Sequence, residues 1–129
     1  MYSKKDMAML EKYANNFLEE NFGIGLTVPI IINGRLTRAL GRFMNSYNRL
    51  TNERKAVKIE LSKQLIQYHD LNEVLDVLKH ELVHYALFTL KKPYGDDDSY
   101  FVNTCNRLNI SLTNTMEHKG KVHVYKCGC

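Results

Sequence analysis

Between Asp6 and Phe22, apolar residues return at Met7, Leu10, Tyr13, Ala14, Phe17, Leu18 and Phe22, the spacing of one helical face, and Gly23 follows as a stop. The period then changes. Leu26 to Ile32 is rich in β-branched residues and runs into Asn33-Gly34, a pair that predicts a hairpin turn, while Pro29 places the strand at a sheet edge. Two more strands are predicted, near Leu40 to Tyr47 and at Ala56 to Leu61, where Val57, Ile59 and Leu61 alternate with Lys58 and Glu60. Ser62 caps a short helix through Tyr68. Asp70 is an N-cap for a long helix from Leu71 to about Leu90, closed by Pro93 and Gly95. A last helix covers Ser99 to Leu108, burying Phe101, Val102, Cys105 and Leu108, and His123 to Tyr125 reads as a short strand leading to Cys127. Helices around a small sheet predict an α+β domain.

Composition narrows this further. With 129 residues, 44% hydrophobic and 25% charged, the chain suits one compact domain and excludes a disordered tail or a fibre. The most apolar stretch, Val74 to Leu90, is interrupted by Asp76, Lys79, His80, Glu81 and His84, so no membrane span or export signal is expected. Three cysteines, Cys105, Cys127 and Cys129, make no disulfide framework and point to a reducing, cytoplasmic setting. The net charge of +4 is unevenly spread: Arg35, Arg38, Arg42, Arg49, Arg54, Lys55, Lys58 and Lys63 face only Glu53 and Glu60. That basic middle is either a solvated sheet surface or a contact for DNA phosphates.

The chemistry lies in the long helix, within His80-Glu81-Leu82-Val83-His84. Histidines four apart emerge on one helix face, one turn apart, where both imidazoles can grip a single Zn²⁺. Glu81 projects to the flank of that face, where its carboxylate reaches a water on the metal, the position of a general base. A helix so apolar all round is buried, and burying two histidines and a glutamate without a metal is costly. Tyr85 and Tyr100 are near enough to be noticed, but with eight tyrosines in the chain neither is named as catalytic. No serine, histidine and acid arrangement and no phosphate-binding glycine loop is visible.

The ordered pieces Leu40-Gly41-Arg42, Ile59-Glu60-Leu61-Ser62, His80-Glu81-Leu82-Val83-His84, Phe101 and Tyr125-Lys126-Cys127 resemble the SprT-like family of zinc metallopeptidases. The resemblance covers almost the whole chain. It implies a zincin-like minimal metallopeptidase domain: a small sheet packed with an N-terminal helix, a HExxH helix and a helix bringing a third ligand, usually histidine, shortly before an aromatic. Here the corresponding stretch is Gly95-Asp96-Asp97-Asp98-Ser99-Tyr100-Phe101, without histidine. With Phe101 as the family aromatic, Asp97 takes the ligand position, and Asp96 or Asp98 are register alternatives. A carboxylate suits Zn²⁺, and two histidines with one carboxylate form a catalytic ligand set.

The resemblance also implies a cysteine-paired zinc ribbon at the C-terminal end, whereas the sequence has Cys127-Gly128-Cys129, a possible second metal half-site. Two thiols cannot close a four-ligand site. Residues 1–122 are therefore expected to form the SprT-like domain and residues 123–129 the start of an incomplete zinc ribbon. The expected function is zinc-dependent peptide-bond hydrolysis on a protein or peptide substrate, possible DNA-associated proteins included, with extended peptides lying along the Leu26 to Ile32 edge. Two alternatives stand beside it. One is a weakly active or noncatalytic metal-containing binding or regulatory protein, and the other is a basic nucleic-acid-binding module with structural zinc.

Overall fold

The computed structural model describes residues 4–36, 39–95 and 98–112. They form α1 (Lys4–Phe22), β1 (Ile30–Asn33), β2 (Gly41–Asn48), β3 (Glu53–Ser62), α2 (Lys63–Tyr68), α3 (Leu71–Thr89) and α4 (Ser99–Arg107), an α+β arrangement. The sheet order is β1-β3-β2, with β1 parallel and β2 antiparallel to the central β3. Ile59 and Leu61 of β3 and Ile30 of β1 point to the helices. There they meet Leu10, Ala14 and Leu18 of α1 and Val74, Leu78 and Leu82 of α3. Each fully buried leucine, isoleucine or valine among them contributes about 1.5–3 kcal/mol. A second cluster, Val83, Leu87, Phe101, Cys105 and Ile110, joins α4 to the far side of α3, so Cys105 is a core residue.

The helix boundaries follow local chemistry. Ser62 Oγ accepts from the Leu65 amide to start α2. Asp70 and Glu73 form a reciprocal capping box at the start of α3. At its other end α3 stops at Thr89 with Leu90 as its C-cap, where the apolar pattern ends and ahead of Pro93 and Gly95. Lys91 takes a left-handed φ of 61°, with Lys91 N–H bonded to Phe88 O and Lys92 N–H to Leu87 O, a Schellman closure usually built on glycine. Asn109, at φ 59°, closes α4 in the same way.

The hairpin expected at Asn33-Gly34 does not form. β1 and β2 lie on opposite sides of β3, and Asn33 uses its side chain elsewhere: Oδ1 accepts from the Arg35 amide and Nδ2 donates to Glu60. A local turn signal does not set strand order, which depends on burying Ile30, Ile59 and Leu61 together. Pro29 does mark an edge, since β1 pairs with β3 alone, and its carbonyl accepts from Ile59 N–H. The hairpin of the fold is β2–β3, with a bulge at Met44/Asn45.

On the sheet face turned away from the helices, Glu60 is only 2% exposed, held by Arg42 Nε at 2.5 Å, Lys58 Nζ at 3.2 Å and Asn33 Nδ2 at 3.0 Å. Burial alone raises its pKa. The hydrogen bonds from Arg42 and Lys58, the charge of Arg42 and the Asn33 bond outweigh it, so the net pKa is lowered from 4.5. A carboxylate with a depressed folded pKa stabilises the fold fully above its unfolded pKa and loses that contribution as pH falls through the folded value. The stability difference between the parent and Glu60→Gln should therefore be largest at neutral pH and shrink below the ordinary glutamate range. Urea melts across an acid pH series measure it.

Candidate metal centre

His80, Glu81 and His84 all lie on the buried part of α3, with exposures of 1%, 1% and 9%. Each imidazole is anchored from behind. His80 Nδ1 bonds to the Ser111 carbonyl at 2.9 Å, and His84 Nδ1 bonds to the Tyr94 carbonyl. A carbonyl only accepts, so both Nδ1 atoms carry hydrogen, and in the neutral rings each Nε2 presents a lone pair. The two Nε2 atoms face each other at 3.2 Å. Facing lone pairs at that distance repel unless a shared proton or a cation lies between them.

The fit to a metal follows from the same separation. Two nitrogens bound to one Zn²⁺ at about 2.0–2.1 Å in a tetrahedral arrangement stand about 3.3 Å apart. A backbone carbonyl on the rear nitrogen is the usual way a ligating histidine is oriented. Phe101 from α4 adds a third constraint. Its ring stacks on His84 with centroids 3.9 Å apart and planes 6° from parallel, and meets His80 edge-on at 5.1 Å. Neither imidazole can turn without disturbing this buried phenyl ring.

Glu81 is set from the sheet side. A Cβ built on Gly41 at the start of β2 would lie 3.3 Å from Glu81 Cγ, 3.0 Å from Val77 Cγ1 and 3.1 Å from the Glu60 carbonyl. Glycine is what lets α3 approach β2 this closely. Gly41→Ala should push the helix from the strand, with a loss of about 1–3 kcal/mol read by urea unfolding. The strand edge beside Glu81 is therefore that of β2, and the edge of β1, anticipated as the peptide platform, lies across β3 from it.

The remaining candidates divide clearly. Among the described residues no third His, Cys, Asp or Glu joins the histidine pair in a group able to hold a metal. Asp98, one of the register alternatives, turns its Oδ2 to the Gly95 amide at 2.8 Å and closes the turn before α4. Asp96, Asp97, Cys127 and Cys129 lie outside the described residues. Tyr85 holds structure: its hydroxyl bonds to Thr27 and to the Gly25 carbonyl, tying the α1–β1 connection to α3. Of the basic middle, Arg42 and Lys58 are engaged by Glu60. Among the described residues no helix is long and apolar enough to cross a membrane.

Comparison with known proteins defines the class. The sequence model of the SprT-like family matches residues 7–119, so the chain belongs to the SprT-like family. It is similar to a protein named Protein SprT-like from Bacillus velezensis, 26% identical over 127 residues, covering 95% of this chain and 78% of the relative. A protein of the same name from Staphylococcus carnosus is 25% identical over 130 residues, covering 96% of this chain and 79% of its own. No solved structure matches.

Proposed function

We propose that this chain is a zincin-like, zinc-dependent metallopeptidase in which His80, His84 and Asp97 hold the ion and Glu81 is the general base. The observation that carries the reading is the pair of Nε2 atoms facing each other at 3.2 Å, with both Nδ1 atoms bonded to backbone carbonyls. When bound, Zn²⁺ supplies Lewis acidity toward a peptide carbonyl and toward water. The rest falls to the chain. Glu81 accepts a proton from the attacking water as the new C–O bond forms and returns it to the amine as the C–N bond breaks. Gly41 keeps the Glu81 stem close to β2, and the open β2 edge is where an extended peptide adds as a further strand.

Cleavage of an unfolded protein by the full chain, lost on chelation and restored by zinc, tests the activity. Full zinc occupancy without cleavage of any protein, peptide or DNA-bound substrate would favour the alternative of a noncatalytic metal-containing binding protein. The third ligand has its own test. Asp97→Ala should lose zinc affinity by about ten- to a hundredfold or more, and Asp97→His should restore it, as read by competition with a chromogenic chelator. Parent-like affinity in Asp97→Ala with loss in Asp96→Ala would move the ligand one residue.

A further inference from the structure

A groove of about 910 Å³ opens between the distal end of the β2–β3 hairpin and the C-terminal end of α3. Its walls alternate aromatic rings with cations. Phe88 and Tyr94 pack edge to face at 5.2 Å on one side, and across from them the Arg54 guanidinium lies 4.8 Å over the Tyr47 ring. Lys55, Lys91 and Lys92 complete the basic lining, against a single carboxylate, Glu53. Arg54 and these three lysines are exposed, and none makes an ion pair among the described residues. Lys91 occupies its position in a left-handed conformation that glycine adopts without strain.

The groove adjoins the metal centre. Tyr94 lines it with its ring while its carbonyl accepts from His84 Nδ1, and Phe88 lies one helical turn beyond His84. The β2 strand runs from Gly41, against Glu81, to Tyr47 in the groove wall. That run is about six residues, or roughly 20 Å of extended chain.

We propose that this groove binds an acidic segment of the polypeptide substrate, so that the site selects chains carrying carboxylates about six residues from the bond to be cut. The inference rests on the peptidase reading above. A chain laid along β2 from Glu81 arrives at the groove, and exposed cations without a carboxylate partner among the described residues, flanked by aromatic faces, complement carboxylates and apolar side chains along it. Polynucleotides share the charge but have no reason to follow β2 to Glu81.

Fluorescence anisotropy on the full-length Glu81→Gln chain, which removes turnover from the measurement, tests the proposal with two labelled peptides of equal length and one tyrosine each. One is rich in glutamate, and the other has lysine in its place. The glutamate peptide should bind at least about tenfold tighter, with an advantage that falls as salt is raised. Adding Lys91→Glu and Lys92→Glu should reverse the preference. Lys91→Gly should weaken the glutamate peptide without lowering Tm, because glycine accepts the φ that lysine holds under strain. Equal affinity for the two peptides, or a preference unchanged in the double charge reversal, overturns the proposal. So does a single-stranded oligonucleotide that binds more tightly through the same lysines. Cleavage of an unfolded protein of balanced charge by the parent chain is scored separately, so the peptidase reading can stand when this inference fails.

Discussion

A Glu81→Gln chain should keep its fold and its zinc and lose peptide-bond cleavage by at least about a hundredfold. The substitution preserves side-chain length and the packing of Cγ near Gly41, and an amide oxygen still accepts hydrogen bonds. What it removes is the capacity to take up a proton. Because Glu81 is buried, its carboxylate works in surroundings where bulk water is a poor substitute, so little background activity should remain. Initial rates on an unfolded protein, beside elemental analysis of the same preparation, separate the two effects. Equal rates in the parent and Glu81→Gln would remove Glu81 from the mechanism, and loss of zinc would make it a ligand.

The second large effect is expected at the histidines. The double variant His80→Ala and His84→Ala should fall from about one zinc per chain to essentially none at the main site. Each substitution deletes one of the two facing nitrogens. It also strips a donor from a backbone carbonyl, Ser111 for His80 and Tyr94 for His84, and His84→Ala leaves the face of Phe101 without its stacked partner. A fall in Tm should accompany the metal loss. Inductively coupled plasma mass spectrometry after dialysis gives the stoichiometry, and undiminished zinc would locate the metal elsewhere, with Cys127 and Cys129 the next place to look.

What the sequence disclosed and what it concealed follow the range of the forces involved. Asp70 with Glu73, Ser62 with Leu65, and the apolar repeat of α1 are local patterns, and each produced its element. Strand order is not local. Asn33-Gly34 carried a strong turn signal, yet Asn33 bonds to Glu60, twenty-seven residues away, and β1 pairs in parallel with β3. The histidine pair was visible because its spacing is a helical period. The acceptors behind it were not, since Tyr94 and Ser111 contribute backbone carbonyls, which every residue possesses. Phe101 could be placed on a buried helix face, but its stacking on His84 depends on how α4 crosses α3. The end of α3 near Leu90 was legible from its apolar pattern, but the closing residue was not, because Lys91 takes a left-handed conformation that usually signals glycine.

Ser111 bonds in two directions: its carbonyl accepts from His80, and its amide donates to Asp76 Oδ1 at 3.3 Å, one turn earlier on α3. The segment that leaves α4 is thereby riveted to the same helix that carries the histidines. A ligand that fixes the His80 ring must also raise the free energy needed to peel residues 108–112 away, by thermodynamic linkage. Conversely, fraying of that segment releases the ring and weakens the grip on whatever the ring holds. Residues 108–112 thus set a local melting threshold for the histidine pair through a backbone carbonyl alone.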